Sequence, residues 1–286
     1  MDVLQAGARR LDRVELAERL DAPVSALSGL VNRLPRSAKD ALHGRWLGHP
    51  LHPALTDLPV GAWLGAAALD CLRGQEPAAT ALVGLGLAGA VPTALSGIAD
   101  WAEASREQER LGLWHWLANA TAVGLYTASL VARLRGRDRA GRRLGAAGLA
   151  AVTAGAYLGG HLSYRSGTGT NHAMASWRRL PRGWYVVDAL ANLPVGQPVR
   201  RRIGDVAVFV YRGPRTVRIL VDQCTHLAGP LSDGEMTVID DDACVVCPWH
   251  GSTYRLRDGA LRRGPATMSQ PVLKVRILEG RVEACR

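Results

Sequence analysis

Four stretches almost free of charge, residues 54–72, 78–99, 111–132 and 144–164, constrain this chain more than any other feature. The first contains Asp57 and Asp70, the second carries no charge, the third carries only the neutral-range His115, and the fourth is charge-free and ends in G-G-H-L-S-Y. A helix that crosses a bilayer needs roughly 20 predominantly apolar residues. Ala, Gly, Ser and Thr, abundant in these runs, let helix backbones approach closely in lipid. A soluble four-helix bundle would show a polar stripe on each helix, and the last three runs show none. The sequence therefore predicts an all-α four-helix transmembrane domain over 47–165.

Residues 1–46 read as an amphipathic helical segment, with Leu4, Leu11, Val14 and Leu20 at helical spacing among Arg and Glu. They contain no apolar core of the kind a secretory signal requires. The net charge of +10 is carried almost wholly by arginines that flank the apolar runs. Nucleic-acid binding would need a basic face interleaved with stacking aromatics, so no nucleic-acid partner is expected. The five cysteines, at 71, 224, 244, 247 and 285, are odd in number and irregularly spaced. That excludes a disulfide framework and leaves some of them as ligands.

After a Gly/Thr/Arg linker at 166–183 the period changes. W-Y-V-V, V-A-V-F-V-Y, V-R-I-L-V, C-V-V and V-L-K-V-R-I-L are short β-like stretches separated by turn residues, as in a small all-β domain over 184–286. Two loops there carry a cysteine and a histidine each: C-T-H-L-A-G-P-L at 224–231 and C-P-W-H-G-S-T-Y at 247–254. Two Cys and two His also suit tetrahedral zinc. Gly229, Pro230, Pro248 and Gly251, however, build tight loops that aim backbone N–H groups inwards, which suits the bridging sulfides of an iron–sulfur cluster. Cys244 and Cys285 lie at no loop apex and read as bystanders.

These two loops, the L-R-R-G-P-A segment and the final V-L-K-V-R-I-L-E-G-R-V-E hairpin resemble a Rieske [2Fe–2S] domain. The resemblance implies that Cys224 and Cys247 bind one iron and that His226 and His250 bind the other. Respiratory Rieske proteins carry an additional cysteine in each loop, joined as a disulfide. Gly229 and Trp249 occupy those positions here, so the chain is more similar to the ferredoxin and dioxygenase branches. Ser252 and Tyr254 match hydroxyls that tune the cluster by donating to sulfur, which implies an intermediate potential within about −150 to +300 mV.

G-H-P-L-H-P-A-L, D-L-P-V-G and G-G-H-L resemble a four-helix membrane domain family, over about 46–170. Histidine at a membrane span is costly and informative. Four spans would bring His49, His52, His115 and His161 to the membrane face that carries the β domain, as a possible second site for haem or a metal ion.

The expected function is a membrane-anchored Rieske protein transferring one electron at a time at the membrane surface, with a redox protein or quinone as partner and the lipid bilayer around it. The rival is a two-centre membrane oxidoreductase with haem or metal on the membrane-domain histidines. Too few residues follow His250 for the large mononuclear-iron domain of an oxygenase subunit. The location is a multi-pass one in the cell membrane. Total positive charge places the β domain on the cytoplasmic face, while the dense arginines of 133–143 argue the reverse.

Overall fold

The structure is a computed structural model that describes Leu11 and residues 18–286. The expectation for Leu4 and Val14 lies outside the described residues. The chain divides into two compact units, one running up to Leu34 and resuming over Pro50–Thr168, the other Pro35–His49 with Gly169–Arg286. Helices fill the first and strands dominate the second, the helix-then-β order that the sequence predicts.

In the helical unit, α1 (Asp21–Val31) is followed by the four long helices. These are α3 (Leu51–Asp70), α4 (Glu76–Trp101), α5 (Arg106–Leu134) and α6 (Asp138–Tyr164), with α2 (Arg36–His43) belonging to the other unit. Ser105 and Gln108 form a capping box that starts α5, satisfying two of its orphan amides. Small residues face inwards: Gly86, Gly89 and Ser96 of α4 and Gly141, Gly145, Gly148 and Gly155 of α6 are buried. Among them Trp63 stacks on Tyr126 at 4.2 Å between centroids and 9° between planes. Large apolar side chains such as Leu64, Leu85, Val91, Leu95, Trp116 and Leu117 face outwards.

Only α4, among the described helices, is both long and apolar enough to cross a membrane. Of the four helices expected to cross, one meets both measures. Polar residues lower the hydropathy of the others: His52, Asp57 and Asp70 in α3, His115, Asn119 and Arg133 in α5, and His161 with the glycines in α6. A correction concerns the loop arginines. Arg133 is a buried side chain that donates to both carboxylate oxygens of Asp70 and to Ser129 Oγ. Arg142 reaches Glu76 and the Asp70 carbonyl.

The β unit holds two antiparallel sheets. The larger has the order β1-β10-β9-β4-β3-β2, built from Tyr185–Ala189, Arg281–Cys285, Val272–Leu278, Val217–Val221, Val206–Arg212 and Pro198–Ile203. The smaller runs β5-β6-β7-β8, from Glu235–Ile239, Asp242–Val246, Thr253–Arg255 and Leu261–Arg263. One apolar core, including Val208, Val210, Ile219 and Val282, lies on the larger sheet. A second, with Phe209, Leu220, Leu231, Val245 and Leu256, also contains Cys224, Cys247 and Tyr254.

Two segments fall outside the sequence expectation. The stretch read as a linker contains α7 (Met174–Arg179), and the flanking Ala173 and Leu180 are buried in the first β core. Pro35–His49 joins the β unit, where Arg45 hydrogen-bonds the Arg262 carbonyl and pairs with Asp40.

Candidate metal centre

The two Cys–His loops share one backbone design. In the first, between β4 and β5, Cys224 N–H donates to Gly229 O (2.8 Å) and Ala228 N–H returns to Cys224 O (2.9 Å). In the second, between β6 and β7, Cys247 N–H donates to Ser252 O (2.8 Å) and Gly251 N–H returns to Cys247 O (3.1 Å). In each loop the fourth residue after the cysteine is left-handed: Ala228 at φ 62° and Gly251 at φ 73°. Such a turn costs a non-glycine residue about 1–2 kcal/mol, which Ala228 bears. Each loop thereby curls around its own cysteine.

The loops face each other. The His226 and His250 ring centroids are 5.0 Å apart at 86°. The cysteine thiols lie within hydrogen-bonding reach of one another, and Trp249 and His250 N–H groups point at the Cys247 sulfur. A Cβ on Gly229 would sit 2.9 Å from Cys247 Sγ and 3.0 Å from the Trp249 ring. A glycine–tryptophan contact thus bridges the loops.

Electrostatics suit ligation. The hydrogen bond from Cys224 draws the Cys247 thiol down to about 7, aided by the amides of Trp249 and His250, while the same contact and burial hold Cys224 high. Burial pushes His226 down to about 3, with His250, His43 and His172 adding repulsion to any proton there. His226 is a neutral imidazole, the form that binds metals. Its Nδ1 is buried without a hydrogen-bond partner, a costly state for a polar atom and one that a metal bond would relieve.

Ser252 and Tyr254 are both fully buried, so neither hydroxyl faces water. Tyr254 Oη lies 3.1 Å from Cys224 Sγ and 2.8 Å from Thr225 Oγ1. Ser252 Oγ accepts from Ala266 N–H at 3.1 Å, which leaves its own hydrogen to donate. Sequence reasoning missed Gln270. Its side chain accepts from Thr225 N–H and donates to the Val221 and Gln223 carbonyls, tying the first loop to β4. It also missed His43 and His172, far away in sequence and without a motif. Cys244 is buried on β6, donating to the Asp242 carbonyl.

No group of three or more His, Cys, Asp or Glu among the described residues converges on a single metal ion. This site offers ligands in pairs, as a two-iron centre with two protein ligands per iron requires.

The comparisons agree with that chemistry. Residues 183–276 match the family described as Rieske [2Fe-2S] domain. The anthranilate 1,2-dioxygenase ferredoxin subunit of Burkholderia cepacia is 30% identical over 100 residues, which are 35% of this chain and 89% of that protein. The chain belongs to the Rieske family. Ferredoxin CarAc of Metapseudomonas resinovorans is 31% identical over 35% of this chain and 90% of its own length. Two solved structures are also similar. The complex of reduced oxygenase and oxidized ferredoxin in carbazole 1,9a-dioxygenase matches at 29% identity, covering 37% of this chain and 94% of that one with a TM-score of 0.32. The ferredoxin of carbazole 1,9a-dioxygenase from Nocardioides aromaticivorans IC177 matches at 20% identity, over 36% and 96%, with a TM-score of 0.33. The Rieske half is an electron-transfer module whose cofactor is a [2Fe–2S] cluster.

Residues 48–172 match a second family, described as Predicted membrane protein (DUF2231). The sequence set four histidines beside this half. His52 and His115 do come together, with ring centroids 6.2 Å apart. His161 is buried on α6, and His49 belongs to the other unit. The comparisons bring no cofactor to the helical half.

Proposed function

We propose that this chain is a membrane-anchored one-electron carrier. Cys224 and Cys247 hold one iron of the [2Fe–2S] cluster, and His226 and His250 hold the other. The facing imidazole pair, with the buried and unpartnered Nδ1 of His226, carries this assignment. Two imidazoles held about 2.0–2.1 Å from one tetrahedral metal have centroids roughly 5.2 Å apart, against 5.0 Å here. When bound, the cluster supplies one-electron exchange, and its neutral imidazole ligands raise the potential. Purified protein should hold two irons and two acid-labile sulfides per chain. One zinc and no sulfide would end the assignment.

Tyr254 is the tuning residue. Thr225 Oγ1 donates to the Met268 carbonyl, so the single hydrogen of Tyr254 goes either to Cys224 Sγ or to Thr225 Oγ1, and a cluster-bound thiolate, being charged, is the stronger acceptor. A donor to sulfur stabilises the reduced, more negative cluster. An advantage of about 1 kcal/mol in the reduced state corresponds to roughly 40 mV. Tyr254→Phe should lower the midpoint potential by that order, and Ser252→Ala should also lower it. Potentiometry that gave no shift for Tyr254→Phe would mean the phenol donates to Thr225 instead.

The Burkholderia cepacia and Metapseudomonas resinovorans relatives are ferredoxins, which favours a redox protein over quinone as the partner. Trp249, 56% exposed beside His250, gives it an apolar contact next to a ligand imidazole. Four crossings are supported by the arrangement of α3–α6, small residues inside and Leu, Val and Trp outside, which is stable in lipid and exposes too much apolar surface in water. Arg133 and Arg142 pair with Asp70 and Glu76, and on the other side Arg45, Arg106 and Arg110 pair with Asp40, Glu109 and Asp21, so ion pairing leaves the comparison of the two faces to their totals. The larger total then favours a cytoplasmic β half. Reporter tags after Arg137 and at the C-terminus should fall on opposite sides, the C-terminal one cytoplasmic. Tags on one side would remove the four-span reading.

A further inference from the structure

The helical unit builds a second imidazole pair, and its geometry differs from the first. His52 lies in the first turn of α3, His115 lies on α5, and their planes are 84° apart at 6.2 Å. His52 Nδ1 is 2.9 Å from the Thr93 carbonyl of α4, and His115 Nδ1 is 2.8 Å from the Gly155 carbonyl of α6. A carbonyl accepts only, so each Nδ1 carries the hydrogen and each Nε2 carries the lone pair. This is how proteins fix the tautomer of a metal-ligating histidine, with the outer nitrogen donating to the main chain. Both rings occupy space ceded by glycine. A Cβ on Gly97 would be 2.7 Å from His52 Nδ1, and one on Gly159 would be 3.0 Å from His115 Cε1. Asn119 Nδ2 donates to the His115 carbonyl at 2.8 Å and lies 3.5 Å from His115 Nδ1 and 3.3 Å from Nε2, so a metal at Nε2 would displace only the longer of its contacts with that nitrogen and the carbonyl. All four helices therefore contribute to holding two lone pairs within one bundle.

Spacing decides what such a pair can hold. Two imidazoles held about 2.0–2.1 Å from one metal lie roughly 5.2 Å apart by centroid at the tetrahedral angle and roughly 6.4 Å apart when trans. The His226–His250 pair fits the first value and the His52–His115 pair the second. We propose that His52 and His115 are trans ligands of one metal centre in the helical unit, independent of the Rieske cluster. Trans bis-imidazole ligation has two sources, an axially ligated haem iron or a bare two-coordinate ion such as copper(I), for which imidazole is a suitable ligand.

The full-length chain, produced with added 5-aminolevulinate and extracted in detergent, tests this. Pyridine haemochrome and total metal analysis should find one haem, or one copper, per chain beyond the two cluster irons. Protein isolated without it should bind added hemin or copper(I) to saturation at one equivalent. His52→Ala and His115→Ala should each lower occupancy at least tenfold, with helical content by circular dichroism unchanged and the cluster's electron paramagnetic resonance retained. Should either variant unfold, X-ray absorption or near-infrared magnetic circular dichroism on the wild-type metal must report two imidazoles. Wild-type protein with cluster iron alone and no saturable hemin or copper(I) binding would overturn the proposal, as would occupancy that survives either replacement. Loss of the cluster signal itself would instead count against the Rieske ligand assignment.

Discussion

Protein carrying His226→Ala is expected to lose at least nine-tenths of the Rieske visible and paramagnetic signal. The iron held by His226 and His250 has only two protein ligands in the proposed assignment, and removing one halves its hold. Loss of a residue that merely supports a ligand already costs about 10–100-fold in metal affinity, so loss of the ligand itself sets that as a floor. The consequences extend into the fold. Cys224 and Cys247 are 1% and 3% exposed, and they sit in the core that includes Phe209, Leu231 and Tyr254. Without metal, two buried thiols share one hydrogen bond where two iron–sulfur bonds are expected, and metal binding is coupled to folding. Amide exchange should accelerate over 224–231 and 247–252. The strands around Val208 and Ile219, in the separate core of the larger sheet, should stay protected. A His226→Ala protein with an intact spectrum would remove the ligand assignment.

Spacing and flanking residues made this half of the chain legible. Cys-x-His, with a glycine three residues on, and Cys-x-x-His, with a glycine next, point to the four proposed ligands because a loop must curl to bring a thiolate and an imidazole to one point. The glycine and alanine at the left-handed positions are where that curl occurs. Apolar alternation found β3, β4 and β9. It missed β2, whose P-V-R-R-R-I sequence buries Ile203 but exposes arginine, since an edge strand needs an apolar face on one side only. Gln270 was invisible because its role depends on three main-chain atoms roughly fifty residues earlier in the chain, and nothing local to S-Q-P announces it. The helical half was legible in helix number and place but not in hydropathy. Polar and charged residues within the helices, such as Asp57, His115 and Arg133, lower their hydropathy without breaking them. Arg133 read as a loop cation because no local feature ties it to Asp70, 63 residues before it.

Gly264→Ala should both destabilise the β half and lower its cluster content. Gly264 lies in the R-R-G-P-A segment and adopts φ +95°, a conformation that costs an L-residue on the order of 1–3 kcal/mol. Its Cβ would stand 2.6 Å from Ser252 Cα, 2.7 Å from Ser252 N and 2.9 Å from Gly251 O. All three are main-chain atoms of the second Cys–His loop, so no side chain can swing aside. The loop itself must move, and overpacking of this kind costs typically about 1–3 kcal/mol more. Movement there stretches the Cys247 N–H bond to Ser252 O and the Ala266 N–H bond to Ser252 Oγ, and it displaces His250 two residues upstream. Gly280→Ala separates strain from contact. Gly280 has φ +73° but nothing within 4 Å of its Cβ position, so only the left-handed cost of about 1–2 kcal/mol applies. Chemical denaturation of the detergent-solubilised chain, followed by cluster absorbance, should place Gly264→Ala at least about 1 kcal/mol below Gly280→Ala, with less cluster incorporated before any denaturant is added. Equal stabilities would mean that the segment does not buttress the loop, and the main-chain contact between Gly264 and Ser252 would have no part in holding His250 in place.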